Sequence, residues 1–458
     1  MSRTSSQHTV YLALGSNLGD RAAHLRRALH ELAAYATVTA TSMLYETPPA
    51  YVTDQPKFLN AVCRVTTHLS PHELLAAIEE TMRVMGRVRT LRYGPRIIDL
   101  DILFYDAIQI DTPDLTIPHP LLPERDFVLE PLCDIAPELT HPLIGLTMRD
   151  LLSALKAPPL PRVMPVGSQL WSWGSKSYLM GILNITPDSF SGDGLLAQPG
   201  DVVAAAVAQA QRFLAAGADC LDVGGMSTRP GHGLIPVEEE IRRVVPVIEA
   251  LVQTVNVPIS IDTFRGEVAQ AALAAGAHLI NDVWGLRYDR SLAHLAADSG
   301  VPLVVMHNRV QPEDAAYRTR VDALPVGPPA QYDDLVADIR AELTQSLDLA
   351  QSMGVPRWQL LVDPGMGFGK STEQQLELIN RLGELREAGY PLLFGPSRKR
   401  FIGQVLGDLP PEERLEGTLA SCVLAIDRGA DLLRIHDVPA IARAARMTDA
   451  IVRNLRAA

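Results

Sequence analysis

The chain has 458 residues, a formal net charge of −12 and 47% apolar residues, too long for one ordinary domain and too acidic for nucleic acid as a general partner. Its longest apolar runs fall well short of the ~20 residues of a membrane span, and Met1–Thr9 is polar with no apolar signal core, so neither a membrane partner nor export is expected. Cys63, Cys133, Cys220 and Cys422 are scattered, three of them inside apolar patterns, as suits reduced core residues of a cytoplasmic protein.

In chain order, the first elements are a strand at Thr9–Leu14, a helix at Asp20–Tyr35, strand segments around Val38–Tyr45 and Phe58–Thr67, a helix at Pro71–Met85 and a strand at Ile98–Tyr105. This βαββαβ order predicts a ferredoxin-like α+β domain over residues 1–156. Residues 157–176 are rich in Pro, Ser and Gly and follow neither the helical nor the strand period, which reads as a linker.

From residue 177 the rhythm changes to short apolar runs, each followed by a polar residue. The runs are Tyr178–Leu183, Cys220–Val223, Pro258–Ile261, His278–Ile280, Pro302–Val305, Gln359–Val362, Pro391–Phe394 and Leu432–Ile435. Amphipathic stretches such as Val202–Ala216, Glu238–Gln253 and Glu413–Asp427 lie between them, long enough for the crossovers that parallel strands require. Eight such units over 177–458 predict a (β/α)₈ TIM barrel with its chemistry at the C-terminal ends of the strands. The fold class expected is therefore α/β, a ferredoxin-like α+β domain followed by a barrel.

The first candidate site lies at Arg92–Ile102. On a strand, alternation places Asp99 and Asp101 on one face, about 7 Å apart, with Ile98, Leu100 and Ile102 on the other. Two carboxylates so placed can hold Mg²⁺ bridged to phosphates. Arg83, Arg87, Arg89, Arg92 and Arg96 form a candidate polyphosphate clamp. The same residues could equally make an Asp-Arg network on an exposed strand edge.

This segment resembles the signature of 6-hydroxymethyl-7,8-dihydropterin pyrophosphokinases. So do Leu14-Gly15-Ser16-Asn17-Leu18-Gly19, Tyr45-Glu46-Thr47-Pro48-Pro49, Phe58-Leu59-Asn60-Ala61 and Ile117-Pro118-His119. The resemblance implies transfer of diphosphate from ATP, as co-substrate, to the pterin's hydroxymethyl oxygen, with release of AMP. It implies that Phe58 and Phe127 sandwich the pterin, that Thr47 and Asn60 hydrogen-bond it, and that Asp99 and Asp101 bind two Mg²⁺. Arg87 and Arg96 would handle the phosphates, and Arg89, Ile102, Thr116, His119 and Arg125 would bind the nucleotide. Met82 departs from the pattern, where many members carry Glu.

The second candidate site is spread over the barrel strand ends: Asn184, Asp262, Asn281-Asp282, Asp363-Pro364-Gly365-Met366-Gly367-Phe368-Gly369-Lys370, Ser397-Arg398-Lys399 and Arg434-Ile435-His436. Strand ends converge on one rim, so distant residues can line one pocket. Asp262, Asn281 and Asp363 offer acceptors and an amide to a donor-rich flat ring, while Lys399, Arg434 and His436 offer positive or donating groups to an anion. Gly369-Lys370-Ser371 imitates the end of a phosphate-binding Walker loop, but Pro364 stands where that loop needs its first glycine.

These motifs, with Asp222–Gly231, resemble dihydropteroate synthases across residues 178–437. The resemblance implies condensation of the pterin diphosphate with p-aminobenzoate and release of diphosphate. It implies that Asp262, Asn281, Asp363 and Lys399 bind the pterin. It also implies that Asn184 binds the diphosphate through one Mg²⁺, beside Arg434 and His436. Thr228, Arg229, Pro230, Phe368 and Arg400 would form or border the p-aminobenzoate site, and the barrel would be a homodimer. Met226 and Met366 stand where the family often has Glu and Phe. Two other readings are a methyltransferase-like pterin-binding barrel and a binding protein with one decayed site.

Overall fold

The computed structural model describes residues 6–88, 94–186, 195, 201–226, 234–310 and 330–453. It divides into two units, Met1–Met164 with Pro356–Trp358, and Pro165–Val355 with Gln359–Ala458.

The first unit opens with β1 (His8–Ser16), α1 (Arg21–Leu32), β2 (Ala36–Thr41), β3 (Leu44–Thr47), β4 (Phe58–Thr67), α2 (Pro71–Val84) and β5 (Asp99–Tyr105). Helix starts follow from local chemistry. The Asp20 carboxylate accepts from the Ala23 amide at 3.0 Å, and Pro71 follows Ser70, whose amide donates to Glu73 at 2.8 Å. The strands run β5-β1-β4-β3 in space, with β2 also on β4, the antiparallel order of a ferredoxin-like sheet.

One strand expected around Val38–Tyr45 is instead two, β2 and β3, both paired with β4. Ser42 lies at the break, where its hydroxyl accepts from the Val62 amide at 2.9 Å. A side chain thus replaces a ladder bond there.

Beyond β5 come β6 (Ile110–Asp111), β7 (Thr116–Ile117), α3 (Asp126–Ile135), α4 (Met148–Leu155) and β8 (Arg162–Val166). Val128, Leu129 and Leu132 of α3 and Met148 and Leu151 of α4 pack on Val62, Leu103 and Phe104 of the sheet. The segment expected as linker is ordered: β8 joins β3 through Leu44↔Val163 and Tyr45↔Arg162. Gln169–Ser172 forms β9, in which Trp171 is buried and stacks on Tyr178 with centroids 4.5 Å apart.

The second unit contains β10 (Tyr178–Asn184), α5 (Val202–Ala216), β11 (Cys220–Gly224), α6 (Val237–Thr254), β12 (Ile259–Asp262), α7 (Gly266–Ala274), β13 (Leu279–Asp282) and α8 (Ser291–Ser299). Then follow β14 (Leu303–Met306), α9 (Leu335–Ser352), β15 (Leu360–Asp363), α10 (Thr372–Asn380), β16 (Leu393–Phe394), α11 (Arg400–Val405), α12 (Leu415–Asp427), β17 (Leu432–Ile435) and α13 (Val438–Val452). The parallel strands run β15-β14-β13-β12-β11-β10-β17-β16, and a bridge between Val362 and Leu392 closes the ring. Buried Val, Ile, Leu and Ala from strands and helices form one continuous core, so the strands read as apolar runs because both faces are covered.

The loop after β15 approaches β14 backbone to backbone. A Cβ on Gly365, whose φ is +71°, would lie 1.9 Å from the His307 carbonyl oxygen. Gly365→Ala should therefore destabilise the barrel by about 2–3 kcal/mol, read as a lowered midpoint of its thermal unfolding. An unchanged midpoint would contradict this packing.

Candidate active sites

In the first unit, β5 alternates as expected. Asp99 and Asp101 are half-buried on one face, while Leu100 and Ile102 are buried on the other. Register sets Asp99 beside Gly15 and Asp101 beside Ala13 of β1. A cavity of about 100 Å³ opens over that face, lined by both aspartates with Thr47, Phe58, Asn60, Arg96, Arg125 and Phe127. Eight of the expected site residues, from four stretches of the chain, thus share one hollow.

Electrostatics there is dominated by the two carboxylates. Asp99 pairs with Arg87 at 2.7 Å and with Arg96. Asp101 is pushed up to about 6, first by burial and then by the charge of Asp99, against the pull of Arg125, Arg87 and Arg96. Two half-buried carboxylates that repel one another are a hard-oxygen donor set of the kind that suits Mg²⁺. Among the described residues no cluster of three or more His, Cys, Asp or Glu is arranged for a metal. Further ligand positions would then fall to phosphate and water.

The rings behave as amphipathic walls. The Arg96 guanidinium lies 6.0 Å from the Phe58 centroid, and that of Arg125 lies 5.6 Å from both Phe127 and Tyr51. Asn60 donates to Thr47 Oγ1 at 2.7 Å, which leaves the Thr47 hydroxyl as a donor. Tyr51 and Gln55 also line the cavity, and neither was expected. Gln55 accepts from Asn17 at 3.1 Å, and Asn17 Oδ1 accepts from the Arg96 amide at 2.7 Å. The Asn17 of the first motif therefore fixes the loop that carries Arg96.

Among the described residues, Ile102, Thr116 and His119 do not line this cavity, while Arg87 reaches it through Asp99. Ile102 faces the core. Thr116 lies on β7, and the His119 ring accepts from the Leu121 amide at 3.2 Å. Burial, then Arg125, lowers His119 to about 4, so its imidazole is neutral at physiological pH. The Arg87 guanidinium donates to Met82 Sδ at 2.6 Å, so a weak thioether acceptor stands at the position where Glu is common. Arg89 and Arg92 lie outside the described residues.

In the barrel, Arg434 joins two strand ends. Its Nε donates to Asp222 at 2.6 Å and its Nη2 to Asp262 at 2.6 Å, while Asn281 donates to the same Asp222 oxygen at 3.2 Å. Asp262 is raised to about 7, first by burial, against the pull of Arg434. Burial also raises Asp363, which accepts from the Gly365 amide at 2.7 Å. Oδ1 of Asp222 and of Asp262 are buried with no hydrogen-bond partner among the described residues. Such acceptors are costly unless a donor reaches them, and a ring rich in N–H groups supplies donors. Asp222 was read only as part of a motif; its partners lie 59 and 212 residues away in sequence, so no local pattern could reveal it.

Asn184 and His436 line a second cavity of about 220 Å³, together with Arg398. His436 Nδ1 meets Ser397 Oγ at 2.9 Å, and the left-handed Arg398 (φ 56°) is held by Asp437 at 2.8 Å. Lys399 donates to the Met366 carbonyl, and its ammonium lies 4.9 Å from the Phe368 ring. Phe368 packs against the cluster of Met226, Phe264, Val283, Trp284 and Met306, which absorbs one departure from the family pattern. Met366 is buried in the barrel core and absorbs the other. Arg400 is exposed in the first turn of α11, and Thr228, Arg229 and Pro230 lie outside the described residues.

A parallel barrel that gathers buried carboxylates, an amide and cations at one rim is the setting of a pterin site, and the family comparisons agree. The model "Pterin binding enzyme" matches residues 180–436, and that of 7,8-dihydro-6-hydroxymethylpterin-pyrophosphokinase matches residues 11–137. The mitochondrial folate synthesis bifunctional protein of Arabidopsis thaliana is 38% identical over 99% of this chain and 84% of its own length. The folic acid synthesis protein fol1 of Pneumocystis carinii is 41% identical over 96% of this chain, which spans 60% of that relative's length. The crystal structure of Plasmodium falciparum HPPK-DHPS with pteroate covers 97% of this chain and 98% of its own at a TM-score of 0.78 and 22% identity, a likeness of fold. The chain belongs to the bifunctional folate-synthesis enzymes, in which a hydroxymethyldihydropterin pyrophosphokinase is joined to a pterin-binding dihydropteroate synthase.

Proposed function

We propose that the chain catalyses two consecutive steps of folate biosynthesis. Residues 1–156 transfer diphosphate from ATP to 6-hydroxymethyl-7,8-dihydropterin and release AMP. Residues 177–458 condense the resulting pterin diphosphate with p-aminobenzoate to 7,8-dihydropteroate and release diphosphate. The observation that carries this reading is the pairing, in one chain, of the Asp99–Asp101 cavity with the Asp262–Arg434 rim. A methyltransferase-like barrel would have no use for the first site, and a decayed relic would have lost one of these groups.

In the first step, Phe58 and Phe127 stack on the pterin, and Thr47 and Asn60 fix its edge. Arg87 and Arg96 hold the phosphates in line for attack by the hydroxymethyl oxygen on the β-phosphorus. Arg89, Ile102, Thr116, His119 and Arg125 hold the nucleotide. Asp99 and Asp101 would hold two Mg²⁺, whose chemistry is to neutralise charge on the bridging oxygens.

In the second step, Asp262, Asn281, Asp363 and Lys399 bind the ring, and Asp262 favours the positive charge that develops on it as the diphosphate departs. Arg434 and His436 steady the leaving group, and Asn184 would hold its Mg²⁺. Thr228, Arg229, Pro230, Phe368 and Arg400 border the p-aminobenzoate, whose amine attacks the exposed CH₂.

The partners are small molecules, and a homodimer through the barrel would cover the exposed Leu424, Met447 and Ile451 of α12 and α13. No helix among the described residues is long and apolar enough to cross a membrane. Four unpaired cysteines favour a reducing compartment, read as the cytoplasm.

The deciding experiment incubates the chain with hydroxymethyldihydropterin, ATP, Mg²⁺ and p-aminobenzoate. AMP and dihydropteroate should both form, with pterin diphosphate accumulating when p-aminobenzoate is left out. AMP release with no dihydropteroate would refute the assignment of the barrel.

A further inference from the structure

Lys370, which closes the failed Walker pattern, is a buried lysine at the rim. Its ammonium donates to the carbonyls of Gly365 at 3.0 Å and Phe368 at 3.3 Å and to His307 Nδ1 at 3.0 Å, a full set of acceptors for three donors. Because Nδ1 accepts, the His307 proton sits on Nε2, which faces Glu342 at 3.0 Å. Glu342 in turn is gripped by Arg309 at 2.8 Å. This chain of contacts ties β14 and α9 to the loop after β15. Burial draws Lys370 down to about 7, against the pull of Asp363. The uncharged amine keeps two donors, enough for both loop carbonyls, while the link to His307 Nδ1 needs the third donor of the ammonium.

What the tie holds is the loop's inner turn. Met366 lies between the two carbonyls that Lys370 pins, and its own carbonyl receives Lys399. Phe368, the other pinned residue, lies 4.9 Å from the same ammonium. The Gly365 amide is bound by Asp363, so the peptides on either side of the Lys399 contact are fixed.

We propose that Lys370 is a positioning residue for the condensation: from beneath the rim it sets the 365–369 loop, and through Met366 and Phe368 it aims Lys399 at the substrates. This rests on the reading of the barrel as a dihydropteroate synthase. Lys370 touches no substrate; it acts through Lys399.

The test is a double-mutant cycle in the full-length chain with Lys370→Met, which keeps length and removes the donors, Lys399→Ala, and both together. Dihydropteroate formation is measured from supplied pterin diphosphate, with AMP release as an internal standard for the amount of chain and the barrel's thermal unfolding as the check that it is folded. Lys370→Met should lower kcat at least about tenfold with AMP release unchanged, and should cost less than about twofold more once Lys399 is gone. Near-parental kcat, or losses that multiply in the double variant, would overturn the proposal. Should Lys370→Met fail to fold, Glu342→Gln at the half-exposed end of the network replaces it. A drop of about threefold that vanishes in the Lys399→Ala background supports the proposal, and a drop that persists there, or none, defeats it. A parent that makes no dihydropteroate would instead remove the underlying reading.

Discussion

Asp101→Ala and Asp99→Ala should each abolish AMP release, by roughly 100-fold or more, while dihydropteroate synthesis from supplied pterin diphosphate continues at the parental rate. The two variants should differ in every other respect. Asp99 is paired with Arg87 and Arg96, so its loss leaves two cations uncompensated beside the cavity and should tighten the retention of ATP as turnover falls. Asp101 is raised to about 6 by burial and by Asp99, so its ionised form is the disfavoured one in the fold. The sign follows from linkage: a carboxyl with a raised folded pKa withdraws stability as pH rises through that value. At pH 8 the Asp101 variant should therefore unfold at or above the parental temperature, stability and activity moving in opposite directions. Substantial AMP release by the double variant would end the assignment. Loss of both activities would show that the two units do not fold independently.

Lys399→Ala should slow dihydropteroate formation by about 3 kcal/mol, on the order of 100-fold, with AMP release unaffected. Lys399 caps the start of α11, and its side chain reaches across to the loop after β15, against the Met366 carbonyl and the Phe368 ring. A charge set against the Met366 carbonyl and the Phe368 ring face is held in place before substrate arrives, which is what preorganisation requires. Steady-state kinetics should place the loss mainly in kcat. Near-normal turnover would mean that this lysine serves the loop alone.

Most of this architecture is written in local patterns. The barrel strands begin and end within a residue or two of their expected limits, because a buried parallel strand is an apolar run that stops where a polar group must face the rim. Helices α3 and α4 were not foreseen. They are short, and Pro131 sits inside α3, so neither offers enough turns for a clear period. The break between β2 and β3 depends on the Ser42 hydroxyl, which strand propensity does not register. Motif residues that the fold gathers around one cavity, Asn60, Asp99 and Asp101 among them, could be picked out locally. Asp222, His307 and Lys370 were not recognised: the partners of Asp222 lie 59 and 212 positions away and His307 and Lys370 meet across 63, so the contacts that give them meaning form only in the fold. Lys370 is the sharpest case: its sequence neighbours suggest a phosphate loop, and only the fold reveals its actual acceptors.

The ring of strands is unevenly laced. Most neighbours share three to five paired positions, whereas β15 and β16 meet at the single Val362–Leu392 bridge. The loop carrying Met366 and Phe368 springs from one side of that joint, and Lys399 from the other. The barrel thus behaves like a cask with one loose stave, and the contact that spans the gap above it belongs to the catalytic rim. A ligand that engaged both sides would act as the hoop, and binding there would tighten the vessel as well as fill it.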